Sequence, residues 1–366
     1  MTRIVIKLGS STLTRGTPRL SLPHMVEIAR QVSGLIDAGH EVILVSSGAM
    51  AAGREQMGYP QLPREIPAKQ MLAAVGQLRL MAVYQQVFGL YGRTIGQVLL
   101  TRSDLANRAS YLNSRNTLLA MVTHGVIPII NENDTVATEE IRIGDNDNLS
   151  ALAANLVDAD TLILLTDIEG LYTADPRSDP NARIIREVRG EQISPEVWAA
   201  ADGSKTSLGT GGMITKLQAA DLARRSGTLV IIAPGNQPDV LPRLMAGDEM
   251  GTRFYPSTSM IESRKRYILA GGNKHGKVVV DSGAAKALRM GGSLLAVGIT
   301  AVEGDFDRGD AIRILDAAGK ELARGITNYI SADLTRILGR RSDEIEAALG
   351  YYYGDEVVHH NDLVLL

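Results

Sequence analysis

The stretch GDNDNLSALAANLVDADTLILLTD, residues 144–167, places a helix and a buried strand in direct succession. Leu149, Leu152, Ala153 and Leu156 recur at i, i+3, i+4 and i+7, the apolar stripe of an amphipathic helix. TLILLTD (161–167) is an apolar run without polar alternation, which suits a strand covered on both faces. Similar runs lie to either side: IVIKLG (4–9), EVILVSSG (41–48), TIGQVLLT (94–101), VIPIIN (126–131) and TLVIIAPG (228–235). Helical patterns separate them at 22–38, 68–91, 110–124, 147–158 and 212–226. Strand and helix in alternation predict an α/β domain with a mainly parallel sheet and helices on both faces.

The pattern changes after about residue 256. Residues 257–273, with Ser, Arg, Lys and a Gly-Gly pair, read as a linker after a first domain of 1–256. KVVVD (277–281), SLLAVGIT (293–300), AIRILD (311–316) and LARGIT (322–327) then read as short strands, with one helix at 283–290. They outline a small β-rich domain over 274–352, followed by a tail at 353–366.

Bulk composition narrows the class. The 366 residues are 45% hydrophobic and carry 38 basic and 41 acidic side chains, a net charge of −3. That balance offers no general footprint for nucleic acid or for an anionic membrane. Absence of cysteine excludes disulfides, thiolate metal sites and cysteine nucleophiles. MTRIVIKLGSS enters a strand-like run at once, without a signal-peptide pattern. No apolar run reaches the ~18 residues of a membrane span. The expected location is the cytoplasm, with no membrane association.

Several segments carry chemistry. Lys7 ends an apolar strand, where a lysine is costly unless its ammonium has a partner or a task; snorkelling from an edge strand is the plain alternative. GTGGMITK (209–216) opens a helix. Its glycines free backbone N–H groups to cradle phosphate oxygens, and Lys216 adds a mobile cation. The glycine spacing is neither that of a Walker A loop nor that of a dinucleotide fingerprint, and a flexible helix entry is the alternative. Asp145, Asn146, Asp147 and Asn148 precede the amphipathic helix. A cap needs one such residue, so the surplus suits a ligand: carboxylates for lysine ammonium groups, amides for a polar amino acid.

VSSGA (45–49) exposes N–H groups and a hydroxyl suited to a carboxylate, and in INENDTV (130–136) Asn131 and Asp134 can hold an α-ammonium. Either is also an acceptable plain turn. These features all flank strand ends or helix starts on one sheet edge, where open α/β sheets bind ligands. Two lysines, a phosphate cradle and a carboxylate-and-amide pocket describe phosphoryl transfer, in which the protein positions groups and neutralises charge. The motif segments contain no histidine to act as base. A carboxylate acceptor is ionised at neutral pH and needs none, whereas an alcohol would want one, for which Asp147 remains a candidate.

KLGSS, VSSGAMAAG, KQMLAAVGQ, INENDTVAT, GDNDNLSA, LLTDIEGLYTADPR and LGTGGMITK, in this order, resemble the glutamate 5-kinase family of the amino acid kinase superfamily, over essentially the whole chain. The lysine and Gly-rich pattern is shared with aspartokinase, acetylglutamate kinase, carbamate kinase and UMP kinase; INENDTV with GDNDN and GTGGMITK is narrower. The C-terminal module resembles a PUA domain. The resemblance implies an amino-acid-kinase-like three-layer sandwich plus a PUA-like domain, and ATP-dependent phosphorylation of the γ-carboxylate of L-glutamate to L-glutamyl 5-phosphate, the first step of proline biosynthesis.

It also implies residue roles. Lys7 and Lys216 would contact the transferring phosphoryl group, with Asp147 between them. Ser47, Gly48 and Ala49 would receive the γ-carboxylate, and Asn131, Asp134 and Asn146 the rest of glutamate. Thr166 and Asp167, with Thr210, Gly211, Gly212, Met213, Ile214, Thr215 and Lys216, would line the ATP site, which Lys7 also reaches. Mg²⁺ would ride mainly on the ATP phosphates, since it tends to keep its waters. Proline as feedback inhibitor, transfer of the product to glutamyl phosphate reductase, and a dimer or tetramer are further implications. A sister kinase acting on aspartate or N-acetylglutamate, and a non-catalytic amino-acid sensor or RNA-binding regulator, are the rival readings. PUA domains elsewhere bind RNA, but residues 274–352 hold 11 basic and 11 acidic side chains, without the surplus such a module shows. Arg336, Arg340 and Arg341 are the candidates for a local basic face.

Overall fold

The computed structural model describes residues 1–63, 65–137, 146–176, 179–202, 212–259, 268–269 and 272–366, and at 202 and 272–275 the backbone course alone. The chain divides into two units, Met1–Leu105 with Ser114–Met260, and Ala106–Asn113 with Ile261–Leu366.

In the first unit, β1 (Arg3–Leu8), β2 (Glu41–Ser46), β3 (Thr94–Leu100), β4 (Val126–Glu132), β5 (Thr161–Thr166), β6 (Glu187–Val188), β7 (Leu229–Pro234) and β8 (Thr252–Phe254) form one sheet. Its order is β3-β4-β2-β1-β5-β7-β8-β6. All neighbours are parallel except β7 and β8. The six apolar runs of the sequence are the six longer strands. β6 and β8 are too short to leave a pattern in the sequence. The expected helices are present as Leu22–Asp37, Ile66–Gly89, Arg108–Thr123, Asn146–Leu156 and Met213–Arg224.

Strand parity decides what meets what. Side chains alternate across a strand, so β1 sends Ile4, Ile6 and Leu8 to one face and Val5 and Lys7 to the other. The first set joins a buried cluster with Val42, Leu44, Ile163 and Leu165, against the helices Leu22–Asp37 and Ile66–Gly89. The other face packs against the helix Asn146–Leu156, which in turn packs against Met213–Arg224. Lys7 therefore points toward the layer that holds both candidate helix starts. It is no edge-strand lysine, because β1 lies between β2 and β5.

In the second unit, β9 (Gly272–Val280), β11 (Ile299–Glu303), β12 (Ala311–Leu315), β13 (Glu321–Ile326) and β15 (Leu363–Leu365) form a five-stranded sheet in the order β11-β9-β12-β13-β15, and β10 (Leu294–Leu295) pairs with β14 (Glu356–Val358). SLLAVGIT, read as one strand, is broken by a 3₁₀ turn at Ala296–Gly298 into β10 and β11. The reading of 353–366 as a tail is corrected. Val357, Val358 and Val364 are buried, and strands β14 and β15 belong to the two sheets of this unit. Of the expected linker 257–273, residues 260–267, 270 and 271 lie outside the described residues; the unit boundary falls at 260/261. No helix among the described residues is long and apolar enough to cross a membrane.

One contact in the first unit is exceptionally close. The helix Ala49–Gln56 crosses Ile66–Gly89 at two glycines, where a Cβ added to Gly76 would lie 1.7 Å from the Ala49 carbonyl oxygen and one on Gly53 1.9 Å from that of Leu72. Backbone meets backbone there, so no side-chain rotation can relieve an added methyl. Gly76→Ala is expected to destabilise the fold by about 1–3 kcal/mol or more in urea unfolding. Gly34→Ala, in the helix Leu22–Asp37 with nothing within 4 Å of the new Cβ, is expected to stabilise by about 0.4–1 kcal/mol. Equal effects of the two would contradict the packing argument.

Candidate active site

Lys7, Asp147 and Lys216 meet at the carboxyl end of the sheet. Lys7 Nζ lies 2.7 Å from Asp147 Oδ1, and Lys216 Nζ lies 3.3 Å from Asp147 Oδ2. The Thr215 hydroxyl sits 2.9 Å from the same Oδ2 and 2.8 Å from the Gly212 carbonyl oxygen. All three charged side chains are at least nine-tenths buried. Burial alone would push the Asp147 carboxyl up. The charges of Lys7 and Lys216, with hydrogen bonds from Lys7 and Thr215, outweigh it and hold the group well below the usual carboxylate range. Two ammonium groups on one carboxylate leave the cluster net positive, a site for a phosphate.

The neighbouring residue does different work. Successive helix positions are rotated by about 100°, so Asn146 and Asp147 face different partners from one helix start. Asn146 Nδ2 lies 2.8 Å from Ser46 O, 3.0 Å from Ser47 Oγ and 2.8 Å from Asn131 Oδ1. Asn131 Nδ2 donates to Gln77 Oε1 at 2.7 Å, and its Oδ1 also accepts from Glu132 N at 2.9 Å. The strand ends of β2 and β4 are thus tied together through one amide. Between them the chain turns at Gly48, whose φ of +101° lies in the left-handed region that favours glycine, and Ala49 begins the next helix. The N–H groups of Gly48 and Ala49 have no backbone acceptor among the described residues.

Asp134 stands in the turn after β4, half-buried. Burial raises its carboxyl to about 6. Among the described residues no cation pairs with it, so the carboxylate is placed to take one from a ligand.

On the other side, the ends of β5 and β7 are stitched together. Gly235 N donates to Thr166 O at 2.7 Å, and Thr166 Oγ1 donates to Asp167 Oδ1 at 3.1 Å. Asp167 is exposed. The Thr12 hydroxyl lies 3.4 Å from Leu165 O, and a Cβ on Gly235 would come within 2.8 Å of Thr12 Cγ2. Gly212 caps the helix that carries Met213, Ile214, Thr215 and Lys216. Thr210, Gly211 and Asp145 lie outside the described residues.

The structure therefore brings Lys7, Asp147, Thr215 and Lys216 into one cluster, and Ser47, Asn131 and Asn146 into an adjoining one. Sequence reasoning missed Ser46, Gln77 and Tyr84. Gln77 and Tyr84 are spaced i and i+7 on one helix, a signal that in sequence marks a buried face and nothing more.

For a metal ion, the fit is to one carried by a substrate. Asp147 has its oxygens on Lys7, Lys216 and Thr215. Among the described residues no group of three or more His, Cys, Asp or Glu could hold an ion. Mg²⁺ binds readily through phosphate oxygens and retained waters, which asks for no such cage.

Residues 2–234 match the amino acid kinase family, and residues 276–349 match the PUA domain. The chain is 54% identical over 365 residues to a protein of Shewanella amazonensis named glutamate 5-kinase, covering all of this chain and 96% of that protein. It is 52% identical to the glutamate 5-kinase of Deinococcus radiodurans, covering all of both. Among solved structures, UMP kinase from Bacillus anthracis is 16% identical with a TM-score of 0.48, over 70% of this chain and 97% of that one. The chain belongs to the amino acid kinase family and, within it, to the family of the glutamate 5-kinases.

Proposed function

We propose that this chain transfers the γ-phosphoryl group of ATP to the γ-carboxylate of L-glutamate, giving L-glutamyl 5-phosphate, the first step of proline biosynthesis. The observation that carries the reaction type is the condition of Asp147. A general base must be able to take a proton near the operating pH. Asp147 is engaged by two ammonium groups and a hydroxyl, and its carboxyl is held well below the usual range. That removes the candidate base an alcohol acceptor would have needed. A carboxylate acceptor is already an anion at neutral pH and attacks without one. The names of the relatives supply glutamate as the particular acceptor.

On this reading Lys7 and Lys216 stabilise the equatorial oxygens of the phosphoryl group in flight, and Asp147 fixes their separation. The turn Ser47-Gly48-Ala49 receives the γ-carboxylate. Asn131, Asp134 and Asn146 hold the amino-acid end. Thr166, Asp167 and residues 210–216 line the nucleotide. Mg²⁺ on the phosphates supplies charge neutralisation during transfer. Residues 1–256 form the catalytic domain and the PUA-like domain runs from 274 through β15; we assign it a structural or regulatory role rather than RNA binding. Proline inhibition near the glutamate pocket, transfer of the reactive acyl phosphate to glutamyl phosphate reductase, a dimeric or tetrameric assembly and a cytoplasmic location complete the proposal.

ATP turnover with Mg²⁺ and glutamate, with the product trapped as hydroxamate, is the direct test. Turnover with aspartate or N-acetylglutamate and not with glutamate would move the chain to a sister kinase. Lys216→Ala should lower kcat by ~10²–10³-fold, the usual cost of removing a donor aimed at transition-state charge, with little change in glutamate KM. An unchanged kcat would remove the assigned role.

The raised carboxyl of Asp134 gives a pH prediction with a definite sign. Below about 6 the group is mostly neutral and cannot hold an α-ammonium; above it the anion can. The ratio kcat/KM for glutamate should fall as pH drops through that value. Asp134→Asn should lower kcat/KM at neutral pH and abolish the inflection. An inflection that survives the substitution would assign it to another group.

A further inference from the structure

We infer that Tyr84, buried in the sheet layer opposite Asp147, is a positioning residue for the substrate carboxylate and acts through Ser46. The inference rests on the reading of Ser47-Gly48-Ala49 as the carboxylate-binding turn. Strand parity again sets the geometry. Ser46 follows Val42 and Leu44 on the face of β2 that looks into the core cluster, where Tyr84 lies on the helix Ile66–Gly89. Ser47 has the opposite parity, and its hydroxyl lies 3.0 Å from Asn146 Nδ2. The turn is gripped from both faces of the sheet.

The grip on the core side is a chain of hydroxyls. Ser46 Oγ lies 2.7 Å from Tyr84 Oη and 2.9 Å from the Ser47 carbonyl oxygen. A carbonyl only accepts, so Ser46 donates to Ser47 O and Tyr84 donates to Ser46. This chain holds the Ser47 carbonyl. In a trans peptide the N–H of the next residue points opposite to the carbonyl, so the Gly48 N–H is directed away from the core. It has no acceptor among the described backbone groups. A hydroxyl that is 1% exposed as part of Tyr84, with Ser46 Oγ as its partner, thus fixes the aim of a donor at the site. Phe at position 84 would fill the core equally well. The hydroxyl is explained by the turn rather than by packing.

Steady-state kinetics on the full chain, varying glutamate and ATP separately, test this. Tyr84→Phe should raise glutamate KM about five-fold, as expected for one net hydrogen bond, and leave ATP KM unchanged. Ser46→Ala should do the same. The double variant should match either single one, because both break the same chain. Phe88→Leu, which thins the core beside Tyr84 (ring centroids 6.2 Å apart), should lower Tm without moving glutamate KM. An unchanged glutamate KM in Tyr84→Phe, additive effects in the double variant, or equal rises in both KM values would overturn the inference. If the unmodified chain instead phosphorylates another carboxylate, the glutamate assignment fails by itself, and the same comparison applies to that acceptor.

Discussion

A carboxylate buried between two ammonium groups is the constraint on which this site depends. Asp147 comes from the start of one helix, Lys7 from the end of a central strand and Lys216 from the start of another helix. Bringing three charges out of water costs several kcal/mol per ion before their attraction is counted, and apolar side chains often pack as stably in such a place. The cluster is therefore poor evidence of stabilisation and good evidence of a task. It holds two cations at a fixed distance with a net positive charge left over. That is what a transferring phosphoryl group requires of its surroundings.

The sheet distributes the remaining work by parity. One face of β1 builds the core with Ile4, Ile6 and Leu8; the other delivers Lys7. At the end of β2, Ser46 looks into the core and Ser47 toward Asn146. Asn146 and Asp147, one helical step apart, reach the ends of β2 and β4 and the two lysines respectively. The two half-sites are thereby joined covalently, so neither can shift far without the other. The close crossing at Gly53 and Gly76 gives the turn after β2 a rigid backing.

Much of this could be read from residue order. Continuous apolar runs marked the six longer strands, and the helix stripes marked their connections. Lys7 is legible as a charge at the end of a buried strand, Asp147 as part of a polar surplus at a helix start, and Lys216 as the cation of a Gly-rich helix entry. Other features carry no local signature. β6 and β8 are two and three residues long, and their pairing is decided by distant chain. Residues 353–366 read as a tail because short strands separated by His and Asn have no run to read; burial of Val358 and Val364 against partners far off in sequence makes strands of 356–358 and 363–365. Tyr84 is indistinguishable in sequence from any core aromatic. Its hydroxyl acquires meaning only from Ser46, 38 positions away.

On the proposed reading Asp147 is a fixed anion that spaces two lysines and never carries a proton in turnover. A carbon-13 NMR titration of the aspartate carboxyls, with Asp147→Asn to assign the signal, measures this directly. The expected Asp147 resonance stays in its ionised position from about pH 9 down to below about pH 4, the ordinary carboxylate range. A titration between about pH 5 and about pH 8 that tracks activity would make Asp147 a general base and contradict it.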